Sequence, residues 1–147
     1  MTVSTAPEPD LSTWPTGRLL AVAARLVEQR WVTVLAGLGL THAGLIALHS
    51  LRDGPLSQRT LAQHCQVTDQ TMSRTLDRLA KAGFVTRTPD PADARRHLTA
   101  LTPPGRAVLD RAVRAEREDP GLLGGLGDDD AFRARLLTLI AGLSAGD

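Results

Sequence analysis

A chain of 147 residues, 42% hydrophobic and 22% charged, suffices for one domain with helical extensions. Its net charge of +1 gives no overall basic field, so a nucleic-acid role has to rest on where the charge is placed. The single cysteine, Cys65, excludes an intrachain disulfide and a cysteine-rich zinc site, and the longest mostly apolar run, Trp31 to Leu40, is too short to span a bilayer.

Residues 1–15 carry Pro7, Pro9 and Pro15 and read as a flexible arm, with Leu11 and Trp14 as its apolar anchors. No signal peptide is expected, because the first basic residue, Arg18, follows an acidic, proline-containing start. A reducing cytoplasm is the expected compartment. Thr16 is expected to cap a long helix in which Leu19, Leu20, Ala23, Leu26, Val27, Trp31, Val34 and Leu35 recur at helical spacing. Gly37 and Gly39 end it.

Three helix starts then share one pattern. Thr41 lies between Leu40 and Leu45, Ser57 between Leu56 and Leu61, and Thr68 between Val67 and Met72. In each case a hydroxyl caps the first turn and the flanking apolar pair staples it. Helices are therefore predicted from about Thr41 to Arg52, Ser57 to Cys65 and Thr68 to Ala82, with breaks at Asp53-Gly54-Pro55 and Gly83.

After Gly83 the period changes. Phe84 to Thr88 and His97 to Leu101 are β-prone and make a hairpin. The stretch between them, Pro89 to Arg96, is expected to be irregular because of Pro89 and Pro91. Thr102-Pro103 opens a fifth helix, with Ala107, Val108, Ala112 and Val113 inward. Pro120-Gly121 breaks it, and Gly124, Gly125 and Gly127 form a link. Asp128, Asp129 and Asp130 suit the start of a last helix, whose apolar face is Phe132, Leu136, Leu137, Leu139, Ile140 and Leu143.

The predicted helix from Thr68 is the most informative. Met72, Leu76 and Leu79 form a core face, while Arg74, Arg78 and Lys81 repeat the same spacing as a basic stripe. Two short helices joined by a tight turn are helix-turn-helix geometry, whose second helix enters the major groove with its N-terminal residues leading. Gln70, Thr71, Ser73 and Arg74 are the residue types that reach base edges and phosphates. Arg95 and Arg96 lie on the hairpin tip, where an arginine fits a narrow minor groove, and Asp93 can orient a neighbouring arginine. From Ser57 to His97 seven Lys or Arg face four Asp, so a local excess of +3 sits in this stretch.

The order of helices, the segment LAQHCQVTDQTMSRTLDRLAKAGFVTR, the wing PDPADARRHLTALT and the following PGRAVL resemble the MarR family of winged helix-turn-helix regulators. The most specific part is Asp93-x-Arg95 followed by Leu101-Thr102-x-x-Gly105. The resemblance covers about Leu19 to Leu143. It implies a mainly α fold with a small β-hairpin wing. Residues 16–147 would form a single domain, with a DNA-binding lobe at 41–102 and dimerisation helices at 16–40 and 103–147. It also implies a homodimeric repressor of a pseudo-palindromic operator on double-stranded DNA, released by a small aromatic or phenolic acid. Carried over onto this sequence, Ser57, Arg59, Gln70, Thr71, Ser73 and Arg74 would contact DNA, and Arg95 would do so from the wing, with Asp93 orienting it. Thr68 at the cap, Arg78 on the basic stripe and Arg96 on the tip are further DNA-contact candidates from their own positions. Gln66 departs from the pattern by standing where glycine is common, and the chain has no tyrosine for a ligand pocket.

Trp14, Arg18, Arg30, Trp31 and His42 are the candidates for an effector crevice, although the tryptophans suit a dimer core better. His42 and His49 share a face of one helix, but without further ligands nearby neither metal nor cofactor is expected. Cys65 suits the packed core of the helix-turn-helix. The alternative to DNA reading is a winged-helix protein–protein module without DNA activity. An enzyme is not expected, since no Ser/His/Asp set or glycine-rich phosphate motif stands out.

Overall fold

Hydroxyl caps fix the helix boundaries of the central part of the chain. In the computed structural model, which describes residues 7, 9–119, 122 and 129–146, Thr41 accepts from the Gly44 amide at 3.1 Å, Ser57 from Thr60 at 3.2 Å and Thr68 from Thr71 at 3.1 Å. They open α2 (His42–Ser50), α3 (Gln58–Cys65) and α4 (Asp69–Lys81). A single 3-10 turn, Leu51–Asp53, follows α2.

The long first helix, α1, spans Thr16–Gly37. Thr16 does not cap it. Pro15 occupies the cap position with φ −57° and ψ 146°, makes no side-chain bond, and lets its carbonyl accept from Arg18 and Leu19 at 3.0 and 3.1 Å. Proline's fixed φ supplies the entry angle that a hydroxyl would otherwise set. Before it, Asp10 caps a short 3-10 turn, Leu11–Thr13. The rest of the arm expected at residues 1–15, namely 1–6 and 8, lies outside the described residues. So do Pro120, Gly121, Gly124, Gly125, Gly127 and Asp128.

The sheet differs from the expected two-stranded hairpin in two ways. Strand β1 (Leu56–Ser57) adds to it, so the order is β1-β3-β2 with β2 at Val85–Asp90 and β3 at Asp93–Leu101. The strands also run through most of Pro89 to Arg96, leaving only Pro91 and Ala92 as the turn. Pro89 is tolerated because β2 is an edge strand, where a missing N–H need not break a ladder. The register breaks beside it. Pro89 pairs with His97, but Asp90 pairs with Asp93, so Ala94, Arg95 and Arg96 bulge out of the ladder.

Helix α5 (Pro103–Glu118) starts at Thr102, whose hydroxyl accepts from Gly105 and donates to the Gly83 carbonyl at 2.6 Å. A Cβ at Gly105 would collide with the Phe84 carbonyl, so the glycine lets α5 lie directly on the backbone entering β2. Val108, Leu109 and Ala112 are buried here, whereas Ala107 faces out. Ala107 stands next to the buried stripe but on the neighbouring face of the turn, which helical spacing alone left ambiguous.

The core joins Leu35 of α1, Leu48 of α2, Leu61 of α3, Met72 and Leu76 of α4, Val85 of β2 and Leu109 of α5. The last helix, α6 (Asp130–Ser144), is capped by Asp129, which accepts from Phe132 at 3.1 Å. It buries nothing fully; of its apolar residues only Leu136 is half-buried. Among the described residues no single helix is long and apolar enough to cross a membrane.

Candidate nucleic-acid interface

Helix α4 presents two opposed faces. Met72 and Leu76 are fully buried and Leu79 nearly so, while Gln70, Thr71, Arg74, Arg78 and Lys81 are exposed and Ser73 is half-exposed. Core packing therefore dictates that the basic stripe points outward. Thr68 and Ser57, expected at the DNA, also serve as caps. Thr68 further donates to the Thr71 hydroxyl at 3.0 Å, and Ser57 shares a bond with Thr60.

The turn between α3 and α4 is held by Gln66 at φ 53° and ψ 44°, the one described non-glycine residue at positive φ. Val67 donates to Ala62 at 3.1 Å across it, and the Gln58 side chain reaches the Asp69 carbonyl at 3.2 Å. These bonds set the angle at which α4 leaves α3.

Asp93 organises the wing tip differently from its expected role. One carboxylate oxygen accepts the Arg95 backbone amide at 3.0 Å, and the other lies 3.8 Å from Arg96 Nε. It thus shapes the tip and holds Arg96, while the Arg95 guanidinium has no protein partner among the described residues. Asp90 makes the matching bond on the other side of the turn, accepting from Ala92 at 2.9 Å.

Arg87, which the sequence reading passed over, ties the wing to α4. Its guanidinium donates to Asp77 at 2.8 Å and to the Ser73 carbonyl at 3.2 Å, and its Nε is buried without a partner. The signal was present: two-residue alternation puts Arg87 on the face of buried Val85, where an arginine needs a carboxylate. Between α3, the start of α4 and the wing lies a cleft of about 460 Å³ lined by Ser57, Gln58, Arg59, Thr60, Gln63, Asp69, Arg95, Arg96 and His97. Arg59, Arg95 and Arg96 thus converge on one opening from two elements. Gln58 and His97 are also new members of this set.

A second cavity, of about 440 Å³, lies between α1, α2 and α5. It is lined by Trp31, His42, Leu45, Ile46, His49, Arg52, Leu109, Val113, Glu116 and Arg117. Of the five residues expected at an effector crevice, Trp31 and His42 line it. Arg30 pairs instead with Asp119 at 3.1 Å, and Arg18 stacks over the Trp14 ring at 5.3 Å. Among the described residues no group of three or more His, Cys, Asp or Glu could hold a metal. Cys65 is buried, donates weakly to the Ala43 carbonyl at 3.5 Å, and has its thiol pKa pushed up by burial. That environment disfavours the reactive thiolate.

Comparison with known proteins agrees with this geometry. Residues 38–96 match the model of the MarR family. The HTH-type transcriptional repressor Rv2887 of Mycobacterium tuberculosis is 35% identical over 104 residues, spanning 70% of this chain and 75% of the relative. The transcriptional repressor CouR, solved on a 23-mer DNA duplex, superposes with a TM-score of 0.72 at 29% identity, covering 95% of this chain and 99% of CouR. BpsR of Bordetella bronchiseptica, whose DNA binding is regulated by 6-hydroxynicotinic acid, gives 0.66 at 29% identity over 97% of this chain and all of BpsR. A winged helix-turn-helix with an outward basic helix, an arginine-tipped wing and this similarity has one reading: the chain belongs to the MarR family of transcriptional regulators.

Proposed function

We propose that the protein is a homodimeric repressor that binds a pseudo-palindromic operator and is released by a small aromatic acid. The observation that carries DNA reading is the convergence of Arg59, Arg95 and Arg96 on one cleft beside the exposed face of α4. In this reading Gln70, Thr71, Ser73 and Arg74 address the major groove, Arg95 enters the minor groove, and Arg78 meets backbone. A protein-docking module has no need of that charge, and family membership favours DNA.

Dimerisation rests on the outer helices. Leu26 and Val32 of α1 are 58% and 57% exposed, and Ile140 and Leu143 of α6 are 57% and 70% exposed. Apolar faces of this extent call for a partner, and a second copy gives a closed two-fold pair. Residues 16–40 and 103–147 then form the dimer base and residues 41–102 the reading lobe. The effector is assigned to the cavity at Trp31, which offers a flat aromatic wall and an apolar floor from Leu45, Ile46 and Val113. Arg52 and Arg117 there outnumber Glu116, which suits a carboxylate. Ligand between α1, α2 and α5 shifts the population toward a lobe spacing that no longer fits successive major grooves.

The test is a gel-shift series on operator duplex. Arg95→Ala is expected to weaken binding about tenfold or more while leaving the dimer intact, with steep salt dependence throughout. Unchanged binding removes the wing from the interface.

A further inference from the structure

The cleft between α3 and the wing holds a histidine that the reading of α4 and the wing tip does not use. We propose that His97 clamps a DNA backbone phosphate in this cleft and takes up a proton as it does so. The proposal rests on the DNA-reading assignment and names a new residue and a pH dependence within it.

His97 stands on β3 opposite Pro89, just where the register breaks and the arginine-bearing bulge begins. It lines the main cleft and also a smaller one of about 300 Å³ shared with Gln58, Arg87 and Thr99. The charged groups around it are Arg59 from α3, Asp69 from the start of α4, Arg87 from β2, and Arg95 and Arg96 from β3. Arg87 is already committed to Asp77, and Arg96 lies 3.8 Å from Asp93. Arg59 and Arg95 remain to meet an anion, against a single carboxylate, Asp69. Gln58 is anchored by its amide to the Asp69 carbonyl, which fixes one wall.

A phosphodiester is a strong acceptor and a fixed negative charge. Entering beside His97, it stabilises the imidazolium over the neutral ring. Imidazole is the side chain whose charge changes near neutral pH, so binding becomes proton-linked. The complex holds more protons than the free partners, so affinity rises as pH falls. One proton per lobe sets the limit at about tenfold in affinity per pH unit per lobe.

The test uses the full-length protein and a duplex that it selects from a random pool. Titration calorimetry in buffers of different ionisation enthalpy, between about pH 6 and 8, counts the protons taken up. The wild type is expected to gain protons on binding. His97→Gln is expected to lose the uptake and the rise of affinity at low pH, so that its deficit against wild type is larger at pH 6 than at pH 8. His64→Gln, on the exposed side of α3, retains it. Proton uptake that survives in His97→Gln overturns the proposal, as does a pH-independent wild type that still binds. Absence of duplex binding at any pH would instead overturn the DNA reading itself. A third arm adds sulfate alone, an anion that does not titrate in this range: equal proton uptake with it assigns the cleft to a free small anion and overturns the DNA clamp.

Discussion

The reading lobe and the outer helices solve the burial problem in opposite ways. Residues of α2, α3, α4 and β2 close on one another, with Ala47, Leu48, Leu61, Met72 and Leu76 completely buried. Helix α6 has comparable apolar content but leaves Leu137, Ile140 and Leu143 more than half exposed. The difference teaches where each part gets its stability. The lobe has its own caps and sheet and closes over a core completed by Leu35 of α1 and Leu109 of α5, whereas α6 and the outer side of α1 hold an unfinished one. In the proposed dimer that second core is completed between copies, so the spacing of the two lobes depends on contacts the lobes do not make. A ligand at the junction of α1, α2 and α5 can then alter DNA fit without disturbing the residues that read it.

The largest expected effect comes from attacking the unfinished core. Leu137→Asp combined with Ile140→Asp puts two charges on the face assigned to the partner, where burial without counter-charge is strongly unfavourable. Sedimentation is expected to show a monomer, and operator affinity is expected to fall roughly hundredfold or more as the two half-sites stop being bound together. Circular dichroism should still report a folded lobe. A variant that stays dimeric moves the interface elsewhere.

Gly105→Ala attacks the finished core instead. The added methyl meets the Phe84 carbonyl, and the start of α5 must lift from the chain between α4 and β2. Overpacking of this kind costs about 1–3 kcal/mol. Denaturant unfolding should show that loss. The dimer should persist, because the clash lies on the side of α5 that faces β2 and not on the exposed face of α6. Dissociation without destabilisation would contradict the separation of the two regions.

Sequence patterning made the lobe largely legible for a physical reason. Caps, staples and core spacing are local, so Thr41, Ser57 and Thr68 could each be placed from five or six neighbouring residues. What escaped it depends on contacts distant in the chain. Strand β1 is two residues long and exists only because Thr99 and Leu98 run beside it. Arg87 matters through Asp77 and Ser73, and Gln58 and His97 through a cleft that forms only when the wing folds back on α3. The prolines misled in the same way. Pro89 looked like a strand breaker, but edge position removes the objection, and nothing local says which strand will be the edge. At the junction with α1, Trp31 and His42 share a cavity while Arg30 turns to Asp119; that choice is set by where α5 ends.

The smallest expected effect sharpens the account of the lobe. Gln66 is held in the left-handed region at the end of α3, with its own amide bonded to Gln63 at 3.2 Å and the next one to Ala62. For a residue with a Cβ this conformation costs about 1 kcal/mol, because the Cβ crowds the following carbonyl. Gln66→Gly removes the crowding but gives the unfolded chain more freedom, which offsets part of the gain. The Gln66 side chain is exposed and makes no bond among the described residues, so little else is lost. The net expectation is a gain of about 0.5 kcal/mol, read as a higher denaturation midpoint with an unchanged dimer. A lower midpoint would mean that the glutamine side chain contributes to the turn and that the angle between α3 and α4 is held by more than the backbone.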